Sequence, residues 1–327
     1  MKVCWFDVFG AAQDVLQQGD WPTPEPGPGE VLVQLHTTGV NPSDVKKRAG
    51  AFPDLLEAGP VIPHSDGAGV ITAVGEGVSP SRVGERVFVY QAQYGRQLGT
   101  AAEYVALDSV RAPTLPENAS FEVGACIGIP IMTAHRCVFA DGPVADQLIL
   151  VTGGAGRVGH YATQWAHRAG ARVIATASNE QDAAVCREAG AAAVVNHREP
   201  EWGKAVLDLT GGQKIDRVID VEFGANLPEL LHCVRIGATI ATYSSTLVPE
   251  PSLPFRTMMF MDLTVRMVIV YAMPEAAKAQ AAVDTQAALT EGGLQHRIAE
   301  TLPFDQMAKA HEIIEEGSVR GCVVVTI

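Results

Sequence analysis

The 327-residue sequence has no cluster among its six cysteines, and no Cys-x-x-Cys pair occurs. A disulfide framework and a cysteine-rich zinc lobe are therefore disfavoured. No apolar run approaches the roughly 20 residues that span a bilayer. The first residues also lack the charged and apolar regions of a signal peptide, so the sequence predicts a cytoplasmic protein with no membrane partner.

Positive charge is scarce as well, because 24 Lys and Arg oppose 37 Asp and Glu for a formal net charge of −13. A nucleic-acid binder needs a basic face, often interleaved with aromatic residues, so no nucleic-acid partner is expected. Hydrophobic residues make up 47% of the chain, which allows a sizeable core, and the length predicts two domains.

The most informative stretch is a glycine-rich turn between two predicted strands, Leu148–Val151 and Arg172–Thr176. A helical pattern that ends at Gly170 separates the turn from the second strand. Strand, glycine turn, helix and strand in this order form the first half of a dinucleotide-binding unit. The early glycines let backbone amides approach a pyrophosphate, and the last lets the helix lie close on the strand. The predicted phosphate-binding turn comprises Gly153, Gly154, Ala155, Gly156, Arg157, Val158 and Gly159.

The residues before about position 120 follow a different pattern of short β-type runs separated by Pro and Gly turns. This pattern predicts a partly open β-barrel or sandwich. The predicted strands are Val31–His36, Gly69–Val74, Arg86–Tyr90 and Ala102–Leu107.

After the glycine turn, strands and helices alternate, which predicts a mostly parallel, doubly wound sheet. The short final strand needs a sheet to join, and we expect it to return to the N-terminal domain. The predicted helices are Glu180–Ala189, Leu227–Arg235, Pro274–Thr290 and Phe304–Glu316. The predicted strands are Ala192–Val195, Ile215–Val221, Ala238–Tyr243, Thr264–Tyr271 and Gly321–Ile327.

Further motifs occur along nearly the whole chain, at Gly39–Gly50, Pro63–Val78, Val83–Val87, Gly128–Arg136, Asn196–Glu199 and Asp305–Glu312. Together with the glycine turn they resemble the medium-chain dehydrogenase/reductase superfamily, and within it the zinc-independent quinone oxidoreductase (zeta-crystallin-like) branch. The resemblance implies an α/β fold, with a Rossmann doubly wound parallel sheet and a GroES-like, partly open β-barrel catalytic domain. It implies a GroES-like domain over residues 1–122, a Rossmann domain over 123–265 and a return segment over 266–327 that completes the catalytic domain.

Metal ligands of the zinc enzymes in this superfamily are missing here. Those enzymes place Cys where this chain has Asn41, a His-Glu pair where it has Ser65 and Asp66, and a second Cys where it has Ile129. Catalytic zinc needs three such ligands, so no metal is expected. One alternative is a shifted zinc site that uses His64 and Asp66. A zinc alcohol dehydrogenase is the corresponding alternative function.

The end of the second strand indicates the cofactor. A unit that prefers NAD has Asp or Glu there to bind the ribose 2′-hydroxyl, whereas this chain has the neutral run Ala175–Asn179. Ser178 and Asn179 can donate to a 2′-phosphate, and His197 resembles part of the family's adenosine-phosphate wall. Glu180 and Asp182 lie near Ser178 and Asn179 in sequence, and their negative charge counts against binding of the 2′-phosphate. The expectation is NADPH rather than NADH.

The nicotinamide end of the site is implied by the resemblance together with the rule that ligands bind at strand carboxyl ends. Lone His135 and His160 are interpreted as packing or surface residues rather than acid–base groups. The expected contacts to the cofactor are Thr133, Tyr243, Ser244, Met267, Val268 and Ile269.

The catalytic residues implied by the resemblance are Asn41, Asp44 and Lys46, at the family's substrate cleft. Hydrogen-bond donors or a cation there would stabilise negative charge on the oxygen of an acceptor that receives hydride. The alternative for Asn41–Asp44 is an Asx-type turn with a structural role alone.

The predicted function is therefore an NADPH-dependent, zinc-independent enzyme that transfers hydride to a quinone or a related α,β-unsaturated carbonyl. An enoyl-thioester or alkenal reductase of the same fold is the alternative, and a non-enzymatic structural or RNA-binding role is a different class. Thr264–Tyr271 matches the family's dimer-forming strand, and an apolar edge of that length needs covering, so a homodimer is expected.

Overall fold

The computed structural model describes residues 1–327, which divide into two compact units. The first unit comprises residues 1–129 and 278–327, and the second comprises residues 130–277. The strands are β1 (Lys2–Trp5), β2 (Gln17–Asp20), β3 (Glu30–Val40), β4 (Asp66–Val74), β5 (Arg86–Val89), β6 (Tyr104–Asp108), β7 (Leu148–Val151), β8 (Arg172–Ala177), β9 (Ala193–Asn196), β10 (Ile215–Asp220), β11 (Val234–Thr242), β12 (Thr264–Met267), β13 (Ile298–Pro303) and β14 (Cys322–Thr326).

The helices are α1 (Ala12–Val15), α2 (Pro42–Arg48), α3 (Phe121–Gly124), α4 (Ile129–Phe139), α5 (Arg157–Arg168), α6 (Glu180–Glu188), α7 (Trp202–Thr210), α8 (Phe223–Cys233), α9 (Phe255–Phe260), α10 (Glu275–Thr290) and α11 (Met307–Glu316). None of them is both long enough and apolar enough to cross a membrane.

The first unit is built on an antiparallel arrangement around the long strand β3. The strand order is β13-β14-β3-β4-β5, and β6 also pairs with β3. Two register shifts interrupt the pairing of β3 with β4: the first leaves Thr72 of β4 as the extra residue, and the second leaves His36 of β3 as the extra residue. Such bulges bend the strands that carry them. β3 pairs with β4, β6 and β14. The C-terminal strand β14 joins this sheet by pairing antiparallel with β3, with Val323 opposite Val40.

The second unit contains a six-stranded sheet in the order β12-β11-β10-β7-β8-β9. All five neighbouring pairs are parallel. Counted from β7, this is the Rossmann order, and the order in which strands are added reverses between β7 and β10, where such sheets bind dinucleotides. Leu150 and Val218 on one face of the sheet and Ile149 and Ile219 on the other are all fully buried, so the central strands are covered on both faces. The predicted α/β fold class is confirmed.

Several boundaries differ from the expectations, including the following three. The expected strand Thr264–Tyr271 ends at Met267, because its partner β11 ends at Thr242, opposite Met267; a 3-10 turn follows over Val270–Ala272. The expected helix Leu227–Arg235 starts earlier, at Phe223, and contains Pro228. The expected domain boundary after residue 265 falls inside β12, which belongs to the second sheet; the units divide after residues 129 and 277 instead.

Gly156 and Gly159 of the glycine turn differ in how much space a side chain would have. A Cβ at Gly159 would lie 2.3 Å from the carbonyl oxygen of Gly153 and 3.1 Å from the Cα of Gly154, both backbone atoms that cannot rotate away. A Cβ at Gly156 would lie 3.2 Å from the Gly153 carbonyl oxygen, a tight but tolerable distance. Gly159 therefore allows α5 to contact the turn directly.

We expect Gly159→Ala to destabilise the protein by about 1–3 kcal/mol, as overpacking does, because the turn must move away from α5. Gly156→Ala, at the residue that precedes α5, should cost roughly 1 kcal/mol or less. Urea denaturation followed by circular dichroism measures both. Equal midpoints for Gly159→Ala and the wild type would refute the close-packing role.

Candidate functional site

The glycine turn is held by the end of β8. The backbone N–H of Gly153 donates to Oγ1 of Thr176 at 3.0 Å, and that of Gly154 donates to the Thr176 carbonyl at 2.9 Å. No side chain caps α5 at Gly156. The N-terminus of α5 thus presents backbone amides and the positive end of its dipole at the carboxyl edge of the sheet, which is the usual arrangement for a phosphate.

The predicted 2′-phosphate residues lie at the ends of two neighbouring strands, β8 and β9. Half-buried Ser178 and exposed Asn179 follow β8, and His197 follows β9, where its N–H donates to the Ala177 carbonyl at 3.2 Å. Asn179 also caps α6, because its Oδ1 accepts the N–H of Asp182 at 2.8 Å. The three residues are therefore brought to one edge of the sheet.

The two acids that counted against NADPH are both engaged in side-chain contacts. Glu180 pairs with Arg187 at 2.6 Å, and this contact lowers the pKa of the Glu180 carboxyl. The Asp182 carboxylate accepts from Nδ2 of Asn179 at 3.0 Å. Both carboxylates therefore already have a hydrogen-bond donor within this chain.

The residues predicted for the nicotinamide end follow β11 and β12. The Tyr243 N–H donates to the Asp220 carbonyl at 3.2 Å, and the Ser244 carbonyl accepts the N–H of Phe223 at 3.0 Å. The Val268 N–H donates to the Thr242 carbonyl at 2.7 Å. The other predicted contacts are Met267 and Ile269, which are exposed, and Thr133, which is buried on α4.

In the first unit, Asn41 and Asp44 form the start of helix α2. The Asp44 carboxylate accepts the N–H of Asn41 at 2.9 Å, and Pro42 occupies the first turn of the helix. Asn41 also donates from Nδ2 to the carboxylate of Asp66 at 2.8 Å. The segment is a helix N-terminus joined to a second carboxylate, so it is more than an isolated turn.

Lys47, rather than the predicted Lys46, joins this polar cluster. Lys46 is exposed on α2, whereas Lys47 is 7% exposed and donates from Nζ to the Gln93 carbonyl at 3.0 Å and to its Oε1 at 2.7 Å. Sequence reasoning missed Lys47. Its spacing of three from Asp44, in a helix that begins at Pro42, places the two side chains on one helical face and could have indicated it.

Burial shifts the protonation equilibria of this cluster. Desolvation raises the pKa of Asp66 to about 8, although the N–H of Ile129 and the Asn41 amide oppose the shift. Desolvation also raises the pKa of Asp44 to about 6, while nearby Lys47 lowers it. The pKa of Lys47 is lowered by desolvation, against the attraction of both carboxylates. Perturbed groups of this kind concentrate at functional sites.

The alternative zinc site does not fit the donor set. The His64 ring lies between Oγ1 of Thr38, 2.9 Å from Nδ1, and Nε2 of His311, 2.8 Å from its own Nε2. The Asp66 carboxylate already accepts the N–H of Ile129 at 2.9 Å in addition to the Asn41 amide. No group of three or more His, Cys, Asp or Glu side chains is arranged to hold a metal ion. His311 was not anticipated from the sequence.

Replacing Lys47 by Met removes the cation beside two buried carboxyl groups. We expect a loss of about 3 kcal/mol in unfolding free energy at pH 8, as for other broken buried ion pairs. The loss should shrink toward pH 5, because both carboxyls, with pKa values raised to about 6 and about 8, are then protonated. Lys46→Met is the matched control on the same helix and should change stability by roughly 0.5 kcal/mol or less. Urea titrations at pH 8 and pH 5 measure the loss of unfolding free energy. A loss of the same size at both pH values would contradict the attraction between Lys47 and the two carboxyls.

Two family models match the sequence. "Alcohol dehydrogenase GroES-like domain" matches residues 27–117, and "Zinc-binding dehydrogenase" matches residues 158–287. Human quinone oxidoreductase is 32% identical over 315 residues, which cover 95% of this chain and 92% of the relative. Pig quinone oxidoreductase is 31% identical over 321 residues, which cover 98% and 95%.

Solved structures agree with these matches. A mycobacterial protein in complex with NADPH superposes with a TM-score of 0.87 at 27% identity, over 100% of both chains. An NAD-dependent alcohol dehydrogenase superposes with a TM-score of 0.88 at 29% identity, also over 100% of both. These two proteins are described with different cofactors, so the choice between NADH and NADPH depends on this chain's own residues. The resemblance is confirmed, and the chain belongs to the medium-chain dehydrogenase/reductase superfamily of oxidoreductases, with quinone oxidoreductases as relatives along nearly its whole length.

Proposed function

We propose that this oxidoreductase uses NADPH to reduce a quinone, or a related α,β-unsaturated carbonyl, without zinc. The observation that carries the proposal is the glycine turn at the switch point of a Rossmann sheet whose second strand ends in Ser178 and Asn179 rather than in an acid. The names of the human and pig relatives support the acceptor class.

The second unit would hold the cofactor. The N-terminus of α5, which has no side-chain cap, suits the pyrophosphate. Ser178, Asn179 and His197 suit the 2′-phosphate, and Tyr243 and Ser244 would lie beside the nicotinamide. Bound NADPH would supply a hydride to the acceptor, and the protein would orient the ring and exclude water.

Asn41, Asp44 and Lys46 remain the proposed catalytic residues of the first unit. Donors near the acceptor oxygen would stabilise the negative charge that grows there during reduction. Buried Lys47, which is attracted electrostatically to Asp44 and Asp66, adds positive potential to the same cluster. The cytoplasm is the proposed location, which fractionation of cells tests.

Steady-state kinetics with a panel of quinones, enones and enoyl thioesters test the proposed function. We expect turnover of quinones with a higher kcat/KM for NADPH than for NADH, because the end of β8 presents neutral donors. A preference for NADH would overturn the cofactor choice, and activity with enoyl thioesters alone would identify the alternative reductase. Full activity after treatment with a chelator is expected, and stoichiometric zinc in the purified protein would contradict the zinc-free proposal.

A homodimer through β12 is the proposed assembly. β12 is an edge strand, and Val265 on it lines a surface groove together with Phe255 of α9, which is 71% exposed. We expect sedimentation equilibrium to show a dimer that Phe255→Glu converts to a monomer. Val283→Glu, at an apolar residue of α10 that is 57% exposed, is the matched control and should remain dimeric. A monomeric wild type would refute the assembly.

A further inference from the structure

A fully buried carboxylate lies at the carboxyl end of β10, a central strand of the second unit. Asp220 is the last residue of β10 and has no exposed surface. Its Oδ1 accepts from Oγ1 of Thr152 at 2.8 Å and from Nδ2 of Asn226 at 2.8 Å, and its Oδ2 accepts from Oγ1 of Thr242 at 3.2 Å. Every one of these partners is a donor, so the network uses the side chain as an acceptor on both oxygens.

The partners of Asp220 come from the carboxyl ends of the strands on both sides of β10. Thr152 directly follows β7 and directly precedes Gly153, the first residue of the glycine turn. Thr242 is the last residue of β11 and directly precedes Tyr243 and Ser244. One carboxylate thus joins the segment proposed for the pyrophosphate to the segment proposed for the nicotinamide.

Backbone contacts reinforce the same junction. The Val221 N–H donates to Oγ1 of Thr152 at 2.9 Å, and the Thr152 N–H donates to the Ile219 carbonyl at 3.0 Å. The Asp220 carbonyl accepts the N–H of Tyr243. The three strand ends are therefore fixed relative to one another by a single residue and its immediate neighbours.

We propose that Asp220 is a positioning residue that holds the glycine turn and the Tyr243–Ser244 segment in the spacing required to bind the two ends of one dinucleotide. The proposal rests on the proposed function, since it assigns those two segments to the cofactor. Asp220 lies beneath the site and acts through Thr152 and Thr242. Burial raises the pKa of Asp220, and the hydrogen bonds from its donors oppose that shift.

The same strand provides a matched control at its other end. Asp216 lies near the start of β10, where its Oδ2 accepts the N–H of Leu148 at 2.8 Å and its Oδ1 accepts from Nε of Arg235 at 2.6 Å. It also joins β10 to β7, but at the amino edge of the sheet, away from both proposed cofactor segments. If Asp220 served only the stability of the sheet, Asp216→Ala and Asp220→Ala would change the affinity for NADPH to the same extent.

NADPH binding is measured by fluorescence titration of the full-length protein. Hydride transfer from NADPH to a quinone is measured in a single turnover from the absorbance of NADPH. Asp220→Ala should raise the Kd for NADPH roughly tenfold or more, as expected when hydrogen bonds to a charged group are lost. Asp220→Asn keeps an acceptor for Thr152 and Asn226 and should restore most of the affinity. Asp216→Ala should leave the Kd within about twofold, although it lowers the melting temperature.

Two isosteric variants separate the two ends of the site and keep the test valid if Asp220→Ala does not fold. Thr152→Val should mainly raise the Kd, because it releases the glycine turn. Thr242→Val should mainly slow hydride transfer, because it releases the segment proposed for the nicotinamide. Wild-type values of both Kd and transfer rate in Thr152→Val and in Thr242→Val would overturn the positioning role. The same loss of NADPH affinity in Asp216→Ala as in Asp220→Ala would also overturn it. A wild type that binds neither NADPH nor NADH would overturn the proposed function and this proposal together.

Discussion

The candidate cofactor site depends on direct contact between helix α5 and the glycine turn that precedes it. The Gly153 carbonyl occupies the space where any side chain at residue 159 would lie, and Gly153 itself has a φ of 60°. The N-terminus of α5 can therefore reach the carboxyl edge of the sheet at the switch point. Thr176 holds the glycine turn through Gly153 and Gly154, and Asp220 holds Thr152, the residue before it.

The polar cluster of the first unit has a different physical character. Asp44, Lys47 and Asp66 are buried, and each pays a desolvation cost that shows in its shifted pKa. Such groups add little net stability compared with apolar residues of similar size. Their burial beside Asn41 supports the proposal of a catalytic site there.

Local patterns in the sequence predicted the fold class and the cofactor turn, because glycine spacing and the alternation of strands and helices are local signals. Contacts distant in sequence were not predictable in this way, as for His64 and His311, which meet across 247 positions. The choice between Lys46 and Lys47 required knowing which face of α2 is buried. The end of β12 was set by the length of its neighbour β11, which the hydrophobicity of 264–271 does not reveal.

The pairing of β14 with β3 has a consequence for how the chain reaches its native state. Thr326 lies opposite Thr37, so this part of the first sheet closes only after two segments far apart in sequence are both available. The second unit, which is continuous in sequence, needs no later residue to complete its sheet. During synthesis we expect the second unit to fold first, while residues 37–40 of β3 remain without their β14 partner. That interval exposes a strand edge to other chains, so β14, which covers it, matters for solubility.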